Sequence, residues 1–276
     1  MDAKEREQDL GALTNGAMAE PWEWVQKKIP SGTQLFDAHA HIGTDVDGRV
    51  VTPAGMQARM EAASVSRVIV FPLNDPNARD DYSEPNDVIW AAYEEHPDAF
   101  VPFFRLNPHE NYQAEFDRCV NRGFEGLKLH PISQEFELDD RRVIKLFEMA
   151  VESDLPVLVH AGMGMRRIVE PLMPTIERFP ELRLILGHSA MVELLAATHA
   201  FKDHPNVLFE TSVVRAKDLF VLFRSLEPSR ICYGSDIPYG DLPSTLHATL
   251  AAADAAGLSA EEISGVLSEN IRRWFP

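Results

Sequence analysis

Eight short apolar runs punctuate the chain, near positions 34–39, 67–72, 100–105, 125–130, 156–161, 183–188, 207–212 and 230–236, with helix-patterned segments between them. Runs of this kind read as buried parallel strands. Strict alternation of strand and helix implies parallel neighbours joined by right-handed crossovers. Eight units favour a closed (β/α)8 TIM barrel over an open doubly wound sheet, and no glycine-rich phosphate loop follows the first run. The clearest helix follows the fourth run, where Val143, Leu146, Phe147, Ala150 and Val151 repeat at helical spacing. Asp139 or Asp140 caps its start and Pro156 follows its end. Thr52-Pro53, Pro85-Asn86-Asp87 and Pro243-Ser244 are further helix-start signals.

No composition shift or flexible linker divides the chain, so 1–33 reads as an N-terminal extension and 34–276 as one barrel domain. In the extension, Met1 to Glu20 is expected to be mobile, and Pro21-Trp22-Glu23-Trp24-Val25 to begin a short helix closing the lower mouth. A homodimer contact is the alternative use of those aromatics.

Four of the apolar runs end in residues that bind metals. They are Leu35-Phe36-Asp37-Ala38-His39-Ala40-His41, Leu155-Pro156-Val157-Leu158-Val159-His160, Leu182-Arg183-Leu184-Ile185-Leu186-Gly187-His188 and Ile231-Cys232-Tyr233-Gly234-Ser235-Asp236. Chemistry in such a barrel sits at the C-terminal ends of the strands, so these residues converge. Successive strand side chains alternate, so His39 and His41 share a face, with Asp37 on the same parity one layer deeper. A lone H-x-H triplet is a weak motif. Three further ligand-type residues, each closing its own strand, turn it into a metal-site expectation.

The formal net charge is −17, which disfavours phosphate backbones and hence nucleic acid. A small anion is still admissible, because local arginines override a distant field. No apolar stretch is long enough to span a membrane, and no signal-peptide core opens the sequence, so no membrane partner and a cytoplasmic location are expected. Cys119 and Cys232 form no disulfide framework. Cys119 falls in a predicted helix, and Cys232 lies two layers below Asp236.

Asp37-Ala38-His39-Ala40-His41-Ile42-Gly43, Gly126-Leu127-Lys128-Leu129-His130-Pro131, Val157-Leu158-Val159-His160, Leu186-Gly187-His188 and Gly234-Ser235-Asp236 together resemble the amidohydrolase superfamily. More narrowly they are similar to the branch of TIM-barrel metal-dependent hydrolases that includes aminocarboxymuconate-semialdehyde decarboxylase. The likeness runs from about Leu35 to Phe275. It implies metal ligands His39, His41, His160 and Asp236. It also implies that His188 contacts substrate or water, and that Asp236 doubles as the proton acceptor. One divalent ion is expected, zinc first, with manganese or iron also compatible.

Lys128 shares strand parity with His130, so both are candidates to point inward. In binuclear relatives a lysine at this place is carboxylated and bridges two ions. The branch that this chain resembles is usually mononuclear. His130 is open between a supporting partner of the ligands, a substrate contact and a packed strand residue. Asp37 reads as a buried hydrogen-bond partner. His96 and His204 fall at the lower face; His199 and His247 fall in helices and are expected to be exposed. Asp45-Val46-Asp47-Gly48 lacks the later ligands of a calcium loop and reads as a turn.

Arg105, Arg166, Arg167 and Arg215 lie after strands and are candidate carboxylate clamps, Arg105 first because it ends a strand. Lys128, His130 and Arg166 complete the expected substrate contacts. The expected activity is metal-dependent hydrolysis of a small amide, lactone or ester, with a carboxylated substrate preferred. The alternative is metal-dependent, non-oxidative decarboxylation of an unsaturated or aromatic acid. A nuclease is disfavoured by the charge and by Lys128 in place of an acidic residue, and a structural ion by the open position such donor sets leave for water.

Overall fold

The computed structural model describes residues 19–76, 78 and 81–275. All eight expected strands form. They are β1 (Leu35–Thr44), β3 (Val65–Pro72), β4 (Phe100–Arg105), β5 (Gly126–Leu129), β6 (Val157–His160), β7 (Leu184–Gly187), β8 (Val207–Glu210) and β9 (Ile231–Cys232). A ninth, β2 (Val50–Val51), pairs antiparallel with the end of β1. It forms a hairpin around the Asp45–Gly48 turn, and two residues are too few to show a periodicity in sequence.

The sheet order is β2-β1-β3-β4-β5-β6-β7-β8-β9. The segment after β9 returns to β1 through Ala38 N to Tyr233 O (2.9 Å), Asp236 N to His39 O (2.7 Å) and His41 N to Ile237 O (2.9 Å). These bonds close the sheet and leave no free edge there.

Helices cover the outside, among them α1 (Ala19–Lys28), α2 (Pro53–Ala63), α3 (Ser83–Glu95), α4 (Gln113–Arg122), α5 (Arg141–Glu152), α6 (Val169–Arg178), α7 (Leu194–Ala200), α8 (Ala216–Ser225) and α9 (Leu242–Ala256). Asp140 caps α5 by accepting from Arg142 N at 2.8 Å, and Thr52 caps α2 in the same way. The aromatic segment of the extension does become helical, as α1, and packs on the flank of α9. Lys28 reaches Asp254 at 2.6 Å, and Trp24 meets the His247 ring at 5.1 Å. That contact half-buries His247, which sequence alone placed in solvent. The stretch Met1 to Met18 lies outside the described residues.

The interior is layered. Phe36, Ala38, Ile69, Phe71, Val101, Phe103, Leu158, Ile185, Leu208 and Cys232 form one buried cluster, floored by Ile271 and Phe275. Leu35, Ala40 and Ile42 belong instead to the cluster shared with the helices. Alternation along β1 therefore slips once between Ala38 and Ala40, where its register against β3 shifts by one residue. This is a bulge, of the kind found next to active sites. It corrects the parity expected for Asp37: His39 and His41 turn inward, while Asp37 points to the β9 side. There Asp37 accepts from Ser235 N (2.8 Å), Ser235 Oγ (2.5 Å) and His39 N (3.0 Å). Its role as a buried hydrogen-bond partner follows. Burial pushes its carboxyl up to about 7, against the pull of those bonds.

The floor is tightly filled. A Cβ at Gly126 would overlap the fully buried Phe103 ring. Gly126→Ala should cost about 1–3 kcal/mol by overpacking. Shrinking the ring in Gly126→Ala/Phe103→Leu should return part of that loss. A denaturant double-mutant cycle with no coupling between the two sites would contradict the packing argument.

Candidate metal centre

Above the apolar floor the inward positions turn polar, apart from Phe71, whose ring packs on His41, and Gly187, which faces the His39 ring. Arg105 ends β4 one residue past Phe104, and Lys128 sits between the outward Leu127 and Leu129 of β5. His160 ends β6, Glu210 ends β8, and His39 and His41 come from the bulged strand. His188 and Asp236 follow β7 and β9 in left-handed backbone, φ 58° and 59°. Neither is glycine, so each costs of order 1–3 kcal/mol, a strain typical of functional positions.

Expected ligand atoms meet. The His39 Nε2 and His41 Nε2 atoms each lie 3.1 Å from Asp236 Oδ1. Donor atoms bound at about 2.1 Å to one ion stand about 3.0–3.4 Å apart, so the spacing suits one cation. His39, His188 and Asp236 form a group whose ligand atoms all lie within 4.8 Å of one another. That group takes in His188 and leaves out His41 and His160. His160 stands one step out, its Nδ1 3.1 Å from His188 Nε2.

Hydrogen-bond chemistry makes that last contact informative. His160 Nε2 lies 3.0 Å from the Met163 carbonyl, an acceptor only, so it carries the proton and leaves Nδ1 bare. His188 Nδ1 lies 3.1 Å from the Ser212 carbonyl and 3.0 Å from Ser212 Oγ. That hydroxyl already donates to Glu210 at 2.8 Å, so Nδ1 is the donor and Nε2 is bare. Two lone pairs face each other. A cation resolves this, and protonation is a poor substitute: burial presses His160 down to about 2 and lowers His188 as well. Burial also lowers His41 to about 3, and its Nδ1 is buried without a partner. Burial alone would raise Asp236, but His39 and His41 hold it well below the carboxylate range. Neutral His41, His160 and His188 and an ionised Asp236 are the protonation states that a divalent ion requires. His39 is the exception: burial and Lys128 lower it, but Asp236 and Glu210 raise it.

Lys128 Nζ is 3.3 Å from His39 Nε2. Burial lowers this amine to about 7, so it need not oppose an ion as a full ammonium. His130 stacks on His160, with ring centroids 4.0 Å apart and planes 8° apart. Arg105 is buried and its guanidinium reaches the Pro72 carbonyl (3.3 Å) and Ser133 Oγ (3.1 Å). Its Nε has no partner. Arg166, Arg167 and Arg215 are exposed, and the last two pair with Glu170 and Asp218.

Glu210 is the residue that sequence reading missed. Its fully buried carboxylate accepts from His39 Nδ1 (2.8 Å), Ser212 Oγ (2.8 Å) and His188 N (3.2 Å), and from Ser212 N. The first bond protonates Nδ1 of His39 and frees Nε2 for an ion. The signal was present: an acid closing the apolar run Val207-Leu208-Phe209 has the same form as the histidine-terminated runs. Gly234 makes room for it, since a Cβ there would collide with Glu210 and His39. Glu210→Gln should weaken metal binding about 10–100-fold, the usual effect of losing such a partner. Competition against a chromogenic chelator measures this, and unchanged affinity would reduce Glu210 to packing.

The described helices include none long and apolar enough to cross a membrane. The sequence model of the amidohydrolase family matches residues 36–276. No curated protein sequence matches the chain. Among solved structures, 2,6-dihydroxybenzoate decarboxylase from Rhizobium superposes with TM-score 0.64 at 16% identity, covering 87% of this chain and 98% of that one. A 5-carboxyvanillate decarboxylase, LigW2 from Novosphingobium aromaticivorans, with bound manganese, gives TM-score 0.66 at 16% identity, covering 88% and 97%. The 4-oxalomesaconate hydratase LigJ from Rhodopseudomonas palustris gives TM-score 0.63 at 17% identity, covering 88% and 95%. At these identities the likeness establishes the TIM-barrel fold, and the family match adds the rest: the chain belongs to the amidohydrolase family.

Proposed function

We propose that the protein is a metal-dependent hydrolase that directs activated water at a small carboxylated amide, lactone or ester. The observation that carries the reading is the meeting of His39 Nε2, His41 Nε2 and Asp236 Oδ1 at 3.1 Å contacts beside two opposed imidazole lone pairs. His39, His41, His160 and Asp236 would hold one divalent ion, with zinc, manganese or iron all compatible with the donors. Such an ion, when bound, lowers the pKa of water to about 7.

The residues then have separate tasks. Asp236, kept ionised by its histidines, accepts the proton from water and returns it to the leaving group. His188, whose Nδ1–H donates to Ser212, turns a bare Nε2 toward the site, where it accepts a hydrogen bond from water or from a substrate N–H or O–H. Arg105 pairs with a substrate carboxylate: among the described residues no carboxylate contacts this buried guanidinium, and one N–H is unspent. Lys128 and His130 line the same inward layer, and Arg166 stands at the rim.

Decarboxylation is the second reading, favoured by the near-closure of the site. His39, Lys128 and Asp236 are 1%, 0% and 7% exposed. A dry pocket favours a step that discharges a carboxylate. The decarboxylases named above act on aromatic acids on the same scaffold. A screen of carboxylated amides, lactones and aromatic acids separates the readings, because one adds the elements of water and the other releases carbon dioxide.

His39→Ala should lose metal, whereas Asp236→Asn should keep partial occupancy and lose turnover. Normal turnover in Asp236→Asn would remove the proton-transfer role. Arg105→Gln should raise KM for a carboxylated substrate about 10–100-fold, the loss of a charge-assisted pair. An unchanged KM would mean that Arg105 faces no substrate carboxylate.

A further inference from the structure

The seam between β3 and β4 widens toward the site. Their pairing runs Val68–Phe100, Ile69–Val101 and Val70–Pro102, and then stops. On its other side β4 stays paired with β5 through Phe103–Gly126, Phe104–Leu127 and Arg105–Lys128. The main chain of Arg105 therefore has an edge facing β3 that no strand satisfies, and buried backbone polar groups must find partners.

Asn86 of α3 fills that edge. Its Oδ1 accepts from Arg105 N at 2.9 Å and its Nδ2 donates to Arg105 O at 2.9 Å. The pair fixes the orientation of the amide, since only oxygen can accept the N–H and only nitrogen can donate to the carbonyl. Asn86 is fully buried. Its Nδ2 also donates to Glu115 Oε1 at 2.8 Å. Glu115 is gripped in turn by Arg118 through Nε at 2.6 Å and Nη2 at 2.8 Å. A chain of polar contacts thus runs from the surface of α4, through α3, to the last residue of β4.

We propose that Asn86 is a positioning residue: by replacing a missing strand neighbour, it fixes the Arg105 backbone and so aims the buried guanidinium at a substrate carboxylate. The inference rests on the carboxylate-binding reading of Arg105 and adds what holds that group in place. Without the amide clamp, the end of β4 loses both main-chain bonds on its open side. The hydrogen bonds to Pro72 and Ser133 and the Tyr82 ring, 4.9 Å from the guanidinium carbon, would then be left to orient a flexible side chain. Preorganisation of this kind sets how well an ion-pairing group binds.

The test uses the metal-loaded full chain, with benzoate as the anionic probe and benzamide as its neutral counterpart. Asn86→Ala should raise the Kd of benzoate at least about 10-fold, the scale of one impaired charge-assisted bond. It should move the Kd of benzamide less than about twofold on the same scale. Metal stoichiometry should stay unchanged. Hydrogen exchange at Arg105 Nε, assigned in the NMR spectrum by its disappearance in Arg105→Lys, should quicken in Asn86→Ala. Glu115→Gln, which keeps the shape of the network and removes its charge, should shift both readouts in the same direction by less; it serves if Asn86→Ala does not fold.

Equal weakening of both probes, or unchanged exchange and benzoate affinity, would overturn the positioning role. Failure of the underlying reading looks different. Wild-type protein that does not prefer benzoate to benzamide, or Arg105→Gln that binds benzoate normally, would remove the carboxylate site, while the exchange measurement would still report on the clamp.

Discussion

The seam where the first strand meets the last carries both the closure of the barrel and the meeting of the ligand atoms. β1 supplies Asp37, His39 and His41; the segment after β9 supplies Ser235 and Asp236. Main-chain bonds between His39 and Asp236 and between His41 and Ile237 zip the two together. The same bonds bring Asp236 Oδ1 to both imidazoles. Any shift of register at this seam would open the sheet and scatter the donors in one event. Asp37, with three hydrogen bonds from across and along the seam, is the buried acid that resists such a shift.

Most of the fold was legible because parallel strands buried on both faces have an unmistakable composition, and because each strand's last residue announced chemistry. The candidate site was legible in identity and less so in arrangement. The extra residue in β1 left no compositional mark: Ala38 looks like any small strand residue, yet the slip there reverses the face of Asp37 relative to His39. Glu210 escaped because a lone acid at the end of a strand is ordinary in composition, although its run has the same form as the histidine-terminated ones. Arg105 and Arg166 follow strands alike, but one is 1% exposed and the other lies in solvent. Loop geometry decides that difference, and periodicity does not encode it.

Burial makes the polar layer self-consistent or costly, with little between. Three imidazole tautomers are dictated by a neighbour: His39 by Glu210, His188 by Ser212, His160 by the Met163 carbonyl. Together these choices direct lone pairs to one region and leave it short of positive charge. Lys128, depressed by the same burial, supplies only part of it. The amidohydrolase family membership and the polar layer thus agree on what the interior is arranged to receive.

Layering also sets an order of events during folding. His39 belongs to the first strand, while Asp236 and the Phe275 ring that floors the barrel against Phe36 follow the last one. Contacts separated so widely along the polypeptide form slowly and late. The proposed donor set is therefore assembled only once the ring has shut. For an ion held by those donors, binding would be coupled to closure of the barrel.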